Sequence, residues 1–227
     1  MGETTTTDII PPDEIDYNDP PFPLTAIDRE VLATKDEDYH RITWEDLREI
    51  IATNTLEQLK RLPSDLRRYL AWSHNIKRQY GGITPFVIQE RLHWTPSDPT
   101  PTQTPPTAPP PPAFPHHSSI PFSDARDYAI LKNDWPYGFE AGITHLIVWS
   151  KTPIEVDAER GDVTEGARGV IEEFVKRVFV DVVGEGRVLW FKNWVSLQSV
   201  RGVDHVHVLV RGATEEMVGR WCGRGDV

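Results

Sequence analysis

The chain has 227 residues, 38% of them hydrophobic, with one cysteine and a formal net charge of −11. That length supports one medium domain with a real core, while the modest apolar share predicts a good deal of unstructured sequence. The lone Cys222 excludes an intramolecular disulfide framework and a cysteine-built zinc site, and neither a duplex-binding basic footprint nor a membrane-length apolar run is present.

Residues 1–41 hold 11 acids against Arg29, Lys35 and Arg41, so −8 of the charge lies there and the other 186 residues carry about −3. This Thr-, Pro- and acid-rich stretch reads as a mostly disordered arm, although Phe22, Leu24, Ile27, Val31 and Leu32 could clip onto the body. Gly2 with Thr6 fits the loose N-myristoylation pattern, in unfavourably acidic surroundings. With no basic and apolar leader, a cytoplasmic location is expected, with a nuclear one as the alternative.

From Thr43 the pattern is helical over a region spanning 42–94. Thr43 and Asp46 form a capping signal ahead of Trp44, Leu47, Ile50 and Ile51. Thr55 and Gln58 form a better capping box, for a short helix ending before Pro63. The longest helix starts at Ser64 and closes at Gly81-Gly82, and Thr84-Pro85 opens another over 86–92. The polar face of the long helix offers Arg67, Arg68, His74, Lys77 and Arg78, with Lys60 and Arg61 just before it. Arg68 and Lys77 are the candidates there for holding phosphate oxygens; a solvated helix face is the alternative. Residues 95–121 hold 11 of the 20 prolines and read as a linker or surface loop, with polyproline partner binding as a lesser alternative. His116-His117 within it is given no role.

Beyond the linker, residues 122–227 alternate strands and helices, forming one body with 42–94. Strands are predicted over 128–133, 144–150, 187–193 and 203–210, an amphipathic helix over 164–182, and a last helix from Thr214 that uses Cys222 for packing. Short connections between clustered strands make this an antiparallel sheet with helices against it, an α+β fold.

The chemistry concentrates on the last strand. His205 and His207 alternate with Val206, Val208 and Val210, so both imidazoles face one side. Upstream stand Gln198 and Ser199, neutral hydrogen-bonding groups ahead of a turn at Gly202. Imidazoles on a rigid strand beside neutral donors suit binding or attack at a phosphate. Trp135 and Trp194, each beside a polar residue, suit stacking on a base or sugar ring. A metal held by His205, His207 and His145 is the rival use, but no further ligand follows at typical spacing, so no metal or cofactor is assigned.

Two resemblances bear on these residues. Asn133 followed by Trp135-Pro136-Tyr137, then His145, then Asn193, Gln198-Ser199-Val200, His205 and His207 is similar in order and spacing to the histidine-triad (HIT-like) nucleotide-binding fold. It implies a nucleotide hydrolase or nucleotidyltransferase in which His205 is the nucleophile and His207 the last triad histidine; the first falls at Val203. The same resemblance makes Asn133, Trp135, His145, Asn193, Gln198 and Ser199 ligand-binding residues. Second, the block from Arg68 to Gly82, Asn133 to Gly138, and Trp190 to Trp194 resemble the fungal N-acetylglucosamine-induced protein family, over about residues 43–212. It implies a cytoplasmic protein of N-acetylglucosamine response or metabolism and no settled reaction. Together they imply a nucleotide or phosphorylated sugar as partner, with possible phosphoryl or nucleotidyl transfer, and no nucleic acid or membrane. The alternative is a non-catalytic ligand sensor or interaction module, which the missing first histidine favours.

Overall fold

In the computed structural model, residues 9–97, 112–157, 159 and 161–223 are described. Thr43 caps α2 (Trp44–Ala52) as its spacing predicts: its hydroxyl accepts from the Asp46 N–H while its own N–H donates to the Asp46 carboxylate. The Thr55 signal yields only a 3-10 turn (Leu56–Gln58) without a side-chain cap, because burial of Leu56, Leu59 and Leu62 sets the path of the chain instead. α3 (Pro63–Tyr80) places proline where a helix has no use for an N–H and stops at Gly81, whose φ of 77° favours glycine. α4 (Ile83–Phe86) begins ahead of Pro85 and runs on as a π turn (Val87–Leu92).

The fold is α+β, built on an open four-stranded antiparallel sheet. β1 (Tyr128–Lys132), β2 (Ile143–Ser150), β3 (Val188–Phe191) and β4 (Asp204–Arg211) lie in the order β1-β2-β4-β3. One face presents Leu146, Val148, Val206, Val208 and Val210 to α5 (Glu165–Val175), its π-turn continuation (Lys176–Val180), a final turn α6 (Asp181–Val183), and α7 (Glu215–Cys222). Cys222 packs at the edge of this core, as expected. The opposite face carries the histidines between two further apolar clusters. Leu209 and Phe191 meet Trp44, Leu47 and Phe139, while Trp149 meets Ile83, Val87, Phe114 and Val203. The helical region therefore roofs the histidine face of the sheet.

The loop after β1 is clamped to that roof. Ile42 and Phe139 form a short parallel bridge, and the Gly138 N–H donates to the Lys60 carbonyl. A Cβ on Gly138 would stand 2.6 Å from the Tyr39 ring, so only glycine fits this approach.

Residues 9–41 correct the expectation of a mostly disordered arm. They bury Ile15 and Val31, form α1 (Ala26–Leu32), and are pinned along α3. The Ile10 N–H donates to Asn75, Tyr17 donates to the Arg67 carbonyl, and the Ser64 N–H donates to Asp36. The Gly2–Thr6 pattern and residues 98–111 of the proline-rich segment lie outside the described residues. Where that segment returns, Phe114 packs on Trp94, and the backbone and ring of His117 both engage the buried Asp127 carboxylate at 2.7 and 3.0 Å. His117 thus fastens the loop to the start of β1.

Candidate functional site

Between the histidine face and its roof lies a cavity of about 500 Å³. Its floor is Ile147, Trp149, His205 and His207. Trp72, Phe86, Trp135 and Tyr69 form one wall, Asn193 and residues 196–200 another, and Thr25, Ile27 and Asp28 at the start of α1 reach the mouth. The aromatic wall is continuous: ring centroids stand 5.2 Å apart for Trp72–Trp135, 5.7 Å for Tyr69–Trp135 and 5.5 Å for Trp72–Phe86. Antiparallel pairing explains the floor, because register sets Trp149 opposite His205 and Ile147 opposite His207 on the same face.

The three histidines are buried and hydrogen-bonded in different ways. His205 lies 2.8 Å, through Nδ1, from the carbonyl of Val203, the residue just ahead of β4. A carbonyl only accepts, so Nδ1 carries the proton and Nε2 keeps its lone pair. Among the described residues, Nε2 has no hydrogen-bond partner. His207 is engaged at both nitrogens. Asn193 Nδ2, a donor only, lies 3.2 Å from Nε2, which leaves the proton on Nδ1, 2.8 Å from His145 Nε2. Asn193 also donates to Tyr137 Oη at 3.0 Å, and Asn133 Nδ2 sits 3.2 and 3.3 Å from the two nitrogens of His145.

Burial lowers all three histidine pKa values, so the rings are neutral at physiological pH. His145 is pushed down to about 3 by burial and then by the Arg61 charge. His205 is pushed down to about 4, burial outweighing the opposing pull of the Val203 carbonyl. His207 falls well below the ordinary value through burial and its neighbouring charges and rings. Asp204 does not oppose an anion at the floor: its carboxylate is held by buried Lys192 at 3.0 Å and by the Ile154 N–H, and it does not line the cavity.

The structure brings Asn133, Trp135, Asn193, Gln198, Ser199, His205 and His207 to one cavity and sets His145 just behind it. Gln198 donates to the Asn193 carbonyl at 2.7 Å, and Tyr69 donates to Ser199 Oγ at 2.8 Å, leaving the serine proton free to donate. It does not bring Arg68 or Lys77 there. Both are exposed and absent from the lining, Arg68 pairs with Asp65, and the helix turns Tyr69 and Trp72 inward instead. Trp194 also lies outside the lining, its indole held by Asn54. Arg61, Arg91 and Lys132 supply the cationic groups, with Arg91 paired to Asp134. The sequence signal for Arg61 was its place in the Lys60-Arg61 pair, and for Trp149 its alternation with His145 along β2. Nothing in the sequence alone tied either to the histidines.

Polar satisfaction singles out the same place. Among the described residues, four buried side-chain polar atoms lack partners: Trp44 Nε1, Arg61 Nε, Trp149 Nε1 and Asn193 Oδ1. Three of the four belong to cavity-lining residues. Such groups are costly in a protein interior, and their clustering marks where a polar ligand or water would bind.

The profile of a family described as "Protein of unknown function (DUF3605)" matches residues 43–211. N-acetylglucosamine-induced protein 1 of Candida albicans is 30% identical over 187 residues, covering 81% of this chain and 74% of that protein. The chain belongs to the N-acetylglucosamine-induced family. An uncharacterised Saccharomyces cerevisiae protein is 31% identical over 171 residues, 74% of this chain and 77% of its own. The crystal structure of HTC1 is 30% identical, covers 78% of this chain and 91% of that chain, and superposes with a TM-score of 0.57. The matched span contains the cavity floor and the aromatic wall, whereas Thr25, Ile27 and Asp28 fall outside it. No helix among the described residues is long and apolar enough to cross a membrane.

Proposed function

We propose that this cavity binds a nucleotide, nucleotide sugar or sugar phosphate and that His205 attacks its phosphorus, in the manner of HIT-like enzymes. The observation that carries the reading is the single fixed tautomer of His205. The Val203 carbonyl holds Nδ1–H at 2.8 Å, and a neutral Nε2 lone pair remains at the floor of a cavity rimmed by Gln198 and Ser199. In the first step Nε2 forms a bond to phosphorus, and the leaving oxygen departs with the electron pair of the broken P–O bond. The positive charge gained by the ring is stabilised through Nδ1–H by the same carbonyl. A water oxygen then bonds to phosphorus as the N–P bond breaks, its electron pair returning to Nε2 to restore the neutral imidazole, and the water proton passes through solvent to the departed oxygen. Ser199 donates to a phosphoryl oxygen, while His207, His145, Asn193 and Tyr137 hold the floor as a connected polar network.

Trp135 and Trp72 offer a face for the ring of the ligand. The name of the Candida relative records induction by N-acetylglucosamine, so phosphorylated and nucleotide-linked forms of that sugar come first among candidates. The test is thermal stabilisation by a panel of nucleotides, nucleotide sugars and sugar phosphates, followed by turnover assays on each ligand that binds. A ligand at 100 times its Kd adds about 2.7 kcal/mol, a shift of several degrees. Turnover that disappears in His205→Ala while ligand binding persists supports the reading. Binding without turnover in the wild type overturns catalysis and leaves a sensor.

A further inference from the structure

We infer that Arg61 forms an anion subsite of this cavity and is the residue by which it selects phosphorylated over unphosphorylated ligands. The assignment rests on the proposed function and adds the group that supplies the charge. Arg61 lies on the connection between the Leu56–Gln58 turn and α3, and its guanidinium is stacked on Tyr69, with Cζ 3.9 Å from the ring centroid. Tyr137 stands on another side at 5.5 Å. Stacking on a ring leaves the in-plane N–H donors of a guanidinium available for other contacts. Here they find no carboxylate: among the described residues Arg61 makes no ion pair, and its Nε is buried without a partner.

The other charges around the cavity sharpen the contrast. Arg91 is neutralised by Asp134 at 2.8 Å. Lys132 is exposed at the mouth. The Asp28 carboxylate accepts from Thr25 in its helix cap, and Glu57 is exposed at the rim. A partly buried guanidinium without a counter-ion is unfavourable unless something else supplies the charge. Arg61 also acts electrostatically on His145 and His207, so it stands close to the histidine floor. An anion seated on it would therefore lie near the phosphorus that His205 is proposed to attack. Guanidinium binds phosphoryl oxygens bidentately, and the Tyr69 stack holds its plane in place.

The experiment compares adenosine and uridine 5′-monophosphates with their parent nucleosides by calorimetry, using the full chain as wild type, Arg61→Gln and Arg61→Lys. The wild type is expected to bind the nucleotides at least tenfold more tightly than the nucleosides. In Arg61→Gln the two affinities should come within about twofold, chiefly through loss of nucleotide binding. Arg61→Lys, which keeps the charge but loses the fork, should fall between them. If Arg61→Gln fails to fold, the wild-type nucleotide preference should still shrink as salt rises from 50 to 500 mM. Nucleotide preference unchanged in folded Arg61→Gln, or insensitive to salt, overturns the Arg61 assignment while leaving the cavity a nucleotide site. Binding of neither class by the wild type overturns both.

Discussion

Three neutral histidines inside one body make stability depend on pH in a definite direction. An unfolded histidine titrates near 6.5, whereas burial holds His145 and His205 at about 3 and 4 and lowers His207 well below 6.5 as well. As the pH drops below 6.5 the unfolded chain takes up protons that the native state refuses, so stability is lost progressively towards the native values. At pH 5 His145 and His205 each cost about 2 kcal/mol relative to pH 7.5, a figure insensitive to the native pKa once that lies at 4 or below. Those two amount to about 4 kcal/mol, a large part of the whole stability of many domains at about 5–15 kcal/mol, and His207 adds in the same direction. His74, lowered by burial, adds in the same direction. Carboxylates held below their ordinary 3.8, such as Asp36 by Ser64 and Asp46 by the Thr43 N–H, lose their contribution only at lower pH. Urea denaturation followed by tryptophan fluorescence at pH 7.5, 6.0 and 5.0 should show a steep fall in unfolding free energy. His207→Phe should flatten the slope by about one proton. A free energy constant to within 1 kcal/mol from pH 7.5 to 5.0 would refute neutral burial of His145, His205 and His207.

Other expectations are more local. Gly138→Ala should cost about 1–3 kcal/mol, because its Cβ meets the Tyr39 ring at 2.6 Å and the clamped loop cannot yield freely; thermal melts check this. Thr43→Ala should remove about 1 kcal/mol through loss of the α2 capping box, read by chemical denaturation. Trp135→Ala should weaken binding of nucleosides and nucleotides alike by about tenfold, since a base–aromatic stack is worth ~1–3 kcal/mol. Equal affinities for wild type and variant would remove Trp135 from the site.

Short-range signals gave the helices and strands, and long-range pairing gave the site. The Thr43 cap, the Gly81 stop and the alternation of His205 with Val206 are local and legible. The capping pattern at Thr55 and Gln58 reads as better than that at Thr43, yet burial of Leu56, Leu59 and Leu62 overrides it. The arm read as disordered because composition does not reveal how few anchors suffice; Ile15, Val31 and contacts along α3 hold residues 9–41. On the long helix the sequence offers Arg68 and Lys77 as phosphate-holding candidates, but the helix faces the cavity with Tyr69 and Trp72, which sends both cations outward. Arg61 enters through an irregular connection whose direction no periodicity encodes. The hydrogen bond between His145 and His207, 62 positions apart, follows from sheet register; the sequence groups the two only through a resemblance and as a rival metal set.

The most direct test of the central claim is intact-mass analysis of the protein quenched during turnover of a nucleotide ligand, at alkaline pH where an N–P bond survives. A nucleotidyl or phosphoryl mass on the wild type, mapped by peptide analysis to His205 and absent from His205→Ala, is the predicted result. Turnover with no covalent adduct in a rapid-quench series, or an adduct that persists in His205→Ala, would contradict it.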